Sequence, residues 1–367
     1  MITEAVGIAK EHYALGELLH CAELHGGYVN RSFATLAKIN DSQIKYLIRR
    51  YNPAVAENEI RFEHALISYL KKNGFDLAAG VICSKRGATY VKQERTIAGS
   101  AHDDFWAVFE FLEGEDRYTW TDTNIAPEDL ISAAEVLADF HAAGQNFHAP
   151  HGAERNQPKI NDFLVTFRQT YDAYSRRAGK TRFDQCFMQH RSRVLSAVDR
   201  ALMPEQDIAA MPQIPVHCDY HQGNLKYKGS RVVGVFDFDW SKIDLRLFDL
   251  ALAIVYFCAC WDGVAGGSLM RDKLKLFLGA YNRRCREPNG PGSLNATEKA
   301  YLPGMLAAAN LYVLHWTLAD FYHIEDPDTD AYLAYLRHGL KLMDWTEANT
   351  ERIAALVDEV CRIKKNH

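Results

Sequence analysis

Two segments carry the clearest signal in this sequence: His217-Cys218-Asp219-Tyr220-His221-Gln222-Gly223-Asn224 and Phe236-Asp237-Phe238-Asp239. Asp219 and Asn224 stand five residues apart in a polar loop, and Asp237 follows the second strand of a predicted hairpin, eighteen residues after Asp219. Phosphoryl transfer from a nucleotide requires one carboxylate beside the acceptor hydroxyl and further oxygen ligands that hold Mg²⁺ against the phosphates. The hairpin would bring the two carboxylates together, so the spacing predicts that chemistry.

Two other interpretations of the first segment remain open. His217 and His221 are four residues apart with Asp219 between them, which is also the spacing of a zinc site. Such a histidine pair binds metal well on one helix face, but Pro215 before it and Gly223 after it predict a strand and a loop. The segment would alternatively be a polar hairpin whose acidic side chains are only solvated.

The combination of the two segments resembles the aminoglycoside phosphotransferase and choline kinase family, a branch of the protein-kinase-like fold. Leu247-Phe248-Asp249-Leu250-Ala251 looks like the helix that follows the metal-binding strand of that family, and Leu137–His141 resembles its recurring helix end. The stretch Leu294–Trp316 resembles the bacterial homoserine-kinase branch. These matches span most of the chain, from about residue 24 to residue 320.

The resemblance implies roles for individual residues of the two segments. Asp219 would be the catalytic base, and Asn224 and Asp237 would be the Mg²⁺ ligands, with ATP as the phosphoryl donor. His217 would brace the loop rather than react. Asp249 would cap the apolar helix after it and would also hold the loop.

A glycine pair, Gly26-Gly27, marks the candidate nucleotide loop near the start of the chain. Paired glycines let backbone amides approach phosphates closely, and in the resembled family a loop at this place covers the nucleotide. We therefore predict that Gly26, Gly27 and the nearby Asn30 contact the nucleotide. A plain turn is the alternative interpretation.

The resembled family usually carries a lysine on its third strand for the nucleotide phosphates, and the matching position here is Arg49. An arginine pairs with phosphate as a planar fork, whereas a lysine is a compact point charge; a surface strand residue is the alternative. Glu63 is the predicted partner, because it lies on the apolar face of the helix Glu57–Lys72, where an unpaired carboxylate is costly. Glu59 is the second candidate.

The segment Phe109-Glu110-Phe111-Leu112 looks like the hinge between two lobes. Backbone groups of Glu110 and Leu112 would meet the adenine there, although the segment is equally well described as a core strand. Strand patterns dominate before it and helical patterns after it. The patterns therefore predict two lobes, and the resemblance implies that they form an α+β, protein-kinase-like bilobal fold. Residues 1–112 would form a small β-rich nucleotide-binding lobe with one main helix, and residues 113–367 a large, mostly helical lobe that carries the catalytic and acceptor-binding groups.

Periodicity and turn residues predict the individual elements. Tyr28–Ile39 and Gln43–Tyr51 should pair around a turn at Asn40, and Val81–Cys83 should pair with Ala88–Lys92. Further predicted strands and helices are Leu225–Tyr227, Val232–Phe236, Asp129–Ala143, Ile160–Arg177 and Phe183–Leu202, with a helix-capping box formed by Asn295 and Glu298.

The composition limits the partners and the compartment. With 48% hydrophobic and 24% charged residues among 367, the chain is an ordinary globular protein, and its net charge of −5 argues against nucleic acid as a partner. Eight cysteines without a CxxC pair are typical of free thiols in a reducing compartment. Glu4, Lys10 and Glu11 interrupt the apolar core that a secretion signal needs, and the apolar run Leu250–Trp261 is too short to cross a membrane. We expect a cytoplasmic protein without a membrane partner.

The last prediction concerns the acceptor. We expect a small hydroxylated, nitrogen-containing metabolite: homoserine first, because of the C-terminal resemblance, and then choline-like amino alcohols. An aminoglycoside is the alternative acceptor, and a non-catalytic kinase-like nucleotide-binding module is an alternative of another class, since the strand lysine is missing. Trp261, Trp316 and Tyr118 would line an acceptor pocket or belong to the core. The acidic run Glu325–Asp330 would attract an amine or simply cap the helix after it.

Overall fold

The computed structural model describes residues 1–24, 30–97, 100–263 and 266–362, and contacts divide these residues into two units. The first unit consists of Met1–Glu115, Phe147–Asn156 and Val233–Asp239. The second consists of Asp116–Asn146, Gln157–Val232 and the chain from Trp240 onward. Each unit is thus assembled from segments that are far apart in the sequence.

Within the described residues, the first unit is built on six antiparallel strands in one sheet, joined by two helices. The strand order is β1-β2-β3-β6-β4, and β5 also pairs with β6. The elements are α1 (Ile2–His12), β1 (Glu17–Leu24), β2 (Arg31–Ile39), β3 (Ser42–Arg50), α2 (Glu57–Lys72), β4 (Val81–Ile82), β5 (Val91–Ile97) and β6 (Ser100–Glu110).

The predicted helix Glu57–Lys72 is confirmed, but α1 and β1 were not predicted from the sequence. Helix α1 buries Ala5, Ile8 and Ala9, whose spacing places them on one helix face. That face packs into a core cluster with Phe33 and Trp106 of the sheet. A helix of 11 residues with only three buried positions offers few repeats of the apolar spacing.

The predicted pairing of Val81–Cys83 with Ala88–Lys92 is wrong. Strand β4 pairs with β6 through Val81 and Phe109, and β5 pairs with β6 through Val91 and Trp106. Strand β6 has 11 residues, so its length accommodates both short partners one after the other. A long partner strand supplies more ladder hydrogen bonds than a two-stranded ribbon between the short segments would.

The second unit is mostly helical. Its elements are α3 (Pro127–Gly144), α4 (Ile160–Arg177), α5 (Arg182–Ala201), α6 (Glu205–Ala209), β7 (Gln213–Val216), β8 (Leu225–Lys228), the start of β9 (Arg231–Val235), β10 (Lys242–Leu245), α7 (Arg246–Cys258), β11 (Ala259–Cys260), β12 (Ser268–Leu269), α8 (Arg271–Cys285), α9 (Ala296–His323), α10 (Thr329–Ala348) and α11 (Thr350–Cys361). The predicted hairpin is present as the two-stranded sheet β8-β9, and the predicted bounds of α4 are confirmed. None of the helices in the described ranges combines the length and apolar character needed to cross a membrane.

A buried ion pair fixes the start of α7, the helix that supports the polar loop described below. Glu298 forms the predicted capping box with Asn295 at the start of α9. Its carboxylate also accepts hydrogen bonds from the guanidinium of Arg246, the first residue of α7, at 2.6 and 2.9 Å. Both side chains are almost fully buried. The Glu298 carboxylate therefore accepts from the backbone at the start of α9 and also neutralises the charge of Arg246 at the start of α7.

Candidate active site

The first unit contains a buried ion pair between β3 and α2. Arg49 Nη1 lies 3.1 Å from Glu63 Oε1, and both residues are buried. The pairing predicted from the position of Glu63 on the apolar helix face is therefore confirmed. Glu59, the second candidate, instead pairs with Arg155 at 3.7 Å. Arg50 points away from this cluster and pairs with Asp104 at 2.7 Å, as the alternation of side chains along a strand requires.

Asp239 is a second partner of Arg49. The same nitrogen, Nη1, donates to Asp239 Oδ1, and the amide of Asn30 donates to the other oxygen of that carboxylate. Asn30 Oδ1 in turn accepts from the backbone N–H of Asn52 at 2.8 Å. Asp239 thus ties the segment after β9 to the strand that carries Arg49. Asp239 had no predicted role, because its partners lie 190 and 209 positions away in the chain.

The charges in this cluster shift the pKa values of its members. Burial alone would lower the pKa of Arg49, but the carboxylates of Asp239, Glu63 and Asp237 outweigh burial and raise it. Arg49 is therefore always charged. Burial, together with the neighbouring Asp239, raises the pKa of Glu63 to about 7, although Arg49 and Arg155 oppose this shift. The ionisation of Glu63 consequently changes in the physiological pH range.

Asp237, the predicted metal ligand of the second segment, also belongs to the first unit. Its backbone has a φ angle of +67°, in the left-handed region that residues other than glycine seldom occupy. The strand before it is tied to the rest of the unit, because the N–H of Val235 donates to the carbonyl of Leu77 at 2.8 Å. The Asp237 carboxylate is 38% exposed and lies 4.0 Å from Arg49 Nη2. A left-handed non-glycine residue of this kind is often found at a functional site.

The remaining predicted nucleotide contacts stand as follows. Gly26 and Gly27 lie outside the described residues. The backbone N–H of Glu110 donates to the carbonyl of Gly80 at 2.8 Å, and the Glu110 carboxylate pairs with Lys71 at 2.6 Å. The amide nitrogen and the side chain of Glu110 are therefore engaged within the first unit. This leaves the Glu110 carbonyl and the backbone of Leu112 as the candidates for contact with an adenine ring.

The polar loop between β7 and β8 belongs to the second unit and holds Asp219 and Asn224 together. Asn224 Nδ2 donates to both the carboxylate Oδ2 and the backbone carbonyl of Asp219, each at 2.9 Å. A short 3₁₀ turn, Gln222–Asn224, brings the amide back to the carboxylate. Because Nδ2 makes both bonds, the amide oxygen of Asn224 faces away from Asp219 and is available to a cation.

His221 and Tyr256 complete the surroundings of Asp219. His221 Nδ1 accepts from the N–H of Gly223 at 3.0 Å, so its proton is on Nε2, which lies 3.5 Å from Asp219 Oδ2. Tyr256 Oη donates to Asp219 Oδ1 at 3.4 Å. Burial would raise the pKa of Asp219, but His221, His217 and Asn224 outweigh it and lower that pKa. Asp219 is therefore ionised at neutral pH and accepts hydrogen bonds.

Asp249 holds the start of the polar loop between β7 and β8 through hydrogen bonds to its backbone. Its carboxylate is fully buried and accepts from the backbone N–H groups of His217 and Cys218, each at 2.9 Å. His141 Nε2 lies 3.0 Å from the same carboxylate, and His141 Nδ1 lies 2.8 Å from the hydroxyl of Tyr281. Cys218 has a φ angle of +63° and needs such support. The predicted role in holding the loop is confirmed.

The predicted capping role of Asp249 is wrong. Helix α7 begins at Arg246 after Leu245, which makes no side-chain capping bond, so Asp249 lies inside the first turn and points to the loop. The zinc interpretation also lacks support. In the part of the chain that the structure describes, no three His, Cys, Asp or Glu side chains are grouped to hold a metal.

A cluster of aromatic rings in the second unit includes Tyr256, the hydrogen-bond partner of Asp219. Trp120 lies 5.1 Å from Trp261 and 5.0 Å from Tyr335 between ring centroids, and it also contacts Tyr256, the partner of Asp219. These rings line a cavity of about 10 Å³, which is room for about one water molecule. Of the three aromatic residues proposed from the sequence for an acceptor pocket, Trp261 is the one that lines this cavity.

The other predicted acceptor groups have structural roles. Trp316 packs against Trp240, with ring centroids 4.6 Å apart. The hydroxyl of Tyr118 donates to Asp129 at 2.8 Å. In the acidic run, Asp328 accepts from the backbone N–H of Asp330 at 3.1 Å and is the cap of α10. Asp328 thus has the capping role predicted for the acidic run.

Comparison with known sequences identifies relatives over most of the chain. The sequence profile of the phosphotransferase enzyme family, APH, matches residues 20–287. A homoserine kinase from Bradyrhizobium diazoefficiens is 24% identical over 319 residues, a match that covers 85% of this chain and 83% of that kinase.

Solved structures give a similar result. The microcompartment-associated aminopropanol kinase has a TM-score of 0.66 at 15% identity, and the match covers 96% of this chain and 98% of that protein. Amicoumacin kinase hAmiN, solved in complex with AMP-PNP, Ca²⁺ and Ami, also has a TM-score of 0.66, at 16% identity and with 93% of both chains covered. At these identities the likeness establishes the fold, and it confirms the kinase-like α+β architecture predicted from the sequence.

Proposed function

Because the chain belongs to the phosphotransferase enzyme family, we propose that it transfers the γ-phosphoryl group of ATP to a hydroxyl of a small metabolite, with Asp219 as the catalytic base. The observation that carries this proposal is the loop geometry: Asn224 holds the Asp219 carboxylate by a bond of 2.9 Å, and the buried Asp249 holds the loop backbone. An ionised carboxylate fixed in this way is suited to orient an acceptor hydroxyl.

Asp219 acts mainly by orientation. Its pKa is lowered, so it is a weak base in the ground state, and it becomes an effective proton acceptor only as the hydroxyl begins to bond to phosphorus. Tyr256 and His221 limit the directions in which the carboxylate can turn. The acceptor hydroxyl would donate its hydrogen bond to the remaining lone pairs of Asp219, which aligns its oxygen for attack.

Mg²⁺ would be held by Asn224 and Asp237. Both offer the oxygen ligands that Mg²⁺ prefers: the amide oxygen of Asn224, whose nitrogen is engaged by Asp219, and the carboxylate of Asp237. When bound, the metal neutralises charge on the phosphates. Arg49 fits a phosphate as well, because its buried Nε has no hydrogen-bond partner among the described residues. The phosphates of the nucleotide would be contacted by Gly26, Gly27 and Asn30. The adenine ring would be contacted by Glu110 and Leu112.

Removal of the Asp237 carboxylate tests the metal assignment. We expect Asp237→Asn to weaken the binding of AMP-PNP about ten-fold or more when Mg²⁺ is present and to change it little when EDTA is present, because only the first condition uses the carboxylate. Titration calorimetry under both conditions measures the difference. Asp103→Asn is the matched control, since Asp103 lies in the same unit and pairs with Lys92 at the surface. Equal affinities for wild type and Asp237→Asn with Mg²⁺ would contradict the assignment.

A nitrogen-containing acceptor agrees best with the surroundings of Asp219. The rings of Trp120 and Tyr256 contact each other beside Asp219 and would attract an ammonium group through their π-electrons. Homoserine is our first candidate because of the match to a homoserine kinase over most of both chains. Amino alcohols come next, as the aminopropanol kinase shares the fold, and aminoglycosides are the alternative. The cytoplasm, where ATP is supplied, remains the proposed compartment.

An acceptor screen tests the proposal. ADP release from Mg–ATP is measured with homoserine, aminopropanol, choline and kanamycin, and the same reactions with Asp219→Ala give the background. We expect one alcohol to raise ADP release by at least about ten-fold over the rate without acceptor. The alternative function, a nucleotide-binding module without turnover, is motivated by the arginine at position 49. Tight Mg–ATP binding without stimulation by any alcohol of a wider panel would favour that module.

A further inference from the structure

A tyrosine behind the Arg49–Glu63 pair connects it to a buried histidine. Tyr51 Oη lies 2.8 Å from Glu63 Oε2 and 2.9 Å from His64 Nε2. All three residues are buried, and the bound oxygen of Glu63 is the one that Arg49 does not use. Tyr51 therefore binds one oxygen of the Glu63 carboxylate, Oε2, while Arg49 binds the other, Oε1.

The direction of these bonds follows from counting hydrogens. The ionised Glu63 carboxylate only accepts, so Tyr51 uses its single proton to donate to Glu63. His64 must then donate to Tyr51 through Nε2–H. The ring is neutral, with an unprotonated Nδ1, because burial and the charge of Arg49 lower the pKa of His64 to about 3. The donor order is His64 to Tyr51 to Glu63.

Arg49 divides its guanidinium between two tasks. Nη1 makes two hydrogen bonds, to Glu63 and to Asp239, Nη2 lies 4.0 Å from the carboxylate of Asp237, and Nε is buried without a partner in the described ranges. Nε and Nη2 form one edge of the planar group, and this edge is the fork that binds phosphate oxygens in a bidentate manner. A lysine would have to use its single nitrogen both for the pair with Glu63 and for the phosphate. Arg49 keeps the pair with Glu63 through Nη1, and its Nε and Nη2 remain as two parallel donors for a phosphate.

We infer that Tyr51 is a positioning residue for nucleotide binding: supported by His64, it fixes Glu63, which orients Arg49 so that the Nε–Nη2 edge receives a phosphate group of the nucleotide. The inference rests on the proposed function, since it takes the nucleotide as the ligand. Tyr51 itself touches no reacting atom. It acts through two intermediate side chains, and its loss should therefore change nucleotide affinity more than acceptor affinity.

Another buried tyrosine of the same unit provides a matched control. Tyr13 is 2% exposed and Tyr51 is 3% exposed, but the hydroxyl of Tyr13 has no hydrogen-bond partner among the described residues. Replacing either tyrosine by phenylalanine removes one buried oxygen and keeps the ring. Only Tyr51→Phe also removes the hydrogen bonds to Glu63 and His64, so the difference between the two variants measures the loss of those two bonds.

The experiment measures the dissociation constant of AMP-PNP with Mg²⁺ by calorimetry and the KM values for ATP and acceptor. We expect Tyr51→Phe to weaken nucleotide binding about ten-fold, as the loss of a hydrogen bond to a charged group would, with the acceptor KM within about two-fold of wild type. Tyr13→Phe should bind like wild type. His64→Leu should weaken binding in the same direction, and His64→Gln should restore it, because its amide can donate to Tyr51.

The pH dependence gives a readout that a purely structural role would not move. The charged or titratable groups around Glu63 are Arg49, Tyr51, Asp239, Arg155 and the neutral His64. The Arg49–Glu63 pair requires ionised Glu63, so affinity should rise as the pH increases through about 7. The Tyr51 bond lowers the pKa of Glu63. Tyr51→Phe should therefore move this rise in affinity to higher pH, whereas Tyr13→Phe should leave it in place.

Each outcome has a defined meaning. If wild type binds AMP-PNP and Tyr51→Phe binds it equally well at every pH, the inference is wrong and the proposed function stands. If wild type itself does not bind the nucleotide, the proposed function is wrong and the inference falls with it. Should Tyr51→Phe not fold, the two His64 variants decide: equal binding by His64→Leu and His64→Gln contradicts the inference, and selective loss in His64→Leu supports it.

Discussion

Asp219→Asn should lower kcat by about a hundred- to ten-thousand-fold, the usual contribution of a positioned proton acceptor, and should leave nucleotide affinity nearly unchanged. Asparagine has the same shape, and its oxygen can still accept from Asn224, which lies 2.9 Å from Asp219 Oδ2 in the wild type. It cannot take up the hydroxyl proton and carries no charge. The variant therefore retains the loop and loses the chemistry. Steady-state ADP release and titration with AMP-PNP measure the two effects separately.

The control for this experiment is Asp199→Asn, which neutralises an exposed aspartate of the second unit that pairs with Arg168. Its kcat should remain within about two-fold of wild type, since an exposed ion pair contributes little. A wild-type kcat in Asp219→Asn would disprove the role of Asp219 as base. A parallel fall of kcat and nucleotide affinity would instead indicate that the substitution disturbs the loop.

Asp249→Ala should have the largest effect on stability, about 3–5 kcal/mol less free energy of unfolding. The fully buried carboxylate accepts from the N–H groups of His217 and Cys218 and from His141. Alanine would leave all three donors buried without an acceptor, and a buried unsatisfied donor costs about 1–3 kcal/mol. The strained backbone of Cys218 would lose its support as well. Denaturation with urea measures the change.

Asp272→Ala is the control, because Asp272 also lies in the first turn of a helix, α8, but is exposed. The free energy of unfolding should fall by less than about 0.5 kcal/mol in this variant.

The pH dependence of stability supplies a second check. Burial would raise the pKa of Asp249, but His141 and His217 outweigh it and lower that pKa. The stability due to Asp249 is therefore present above the unfolded pKa of about 3.9 and is lost as the pH falls below it. A loss under about 1 kcal/mol in Asp249→Ala would contradict the anchoring role.

Short-range spacing made part of the site predictable. Asp219 and Asn224 are joined by one turn, so their separation in sequence nearly determines their contact. The pairing of Arg49 with Glu63 followed from the cost of leaving a carboxylate unpaired on an apolar helix face. In both cases the evidence lies within about fifteen residues, where helix and turn geometry limit the possible arrangements.

Long-range contacts could not be predicted from local sequence patterns. The role of Asp249 in holding the loop was predicted from the family resemblance alone, because its partners are backbone N–H groups about thirty residues earlier, and backbone donors leave no mark in the sequence. Asp239 meets Arg49 across 190 positions. The pairing of β4 and β5 with β6 depends on how much of β6 is available, a property of the assembled sheet. Tertiary packing determined all three features.

The composition of the first unit from three separate chain segments has a practical consequence for work with fragments. A gene truncated after Glu115 would encode every strand from β1 to β6 but would omit Phe147–Asn156 and Val233–Asp239, which complete that unit. Such a fragment would lack Asp239 and Arg155, so Arg49 and Glu63 would lose partners that they have in the intact chain. Recombinant expression of residues 1–115 alone, or their transplantation into a hybrid kinase, should therefore fail unless both later segments are supplied, for example by rejoining the chain in a permuted order.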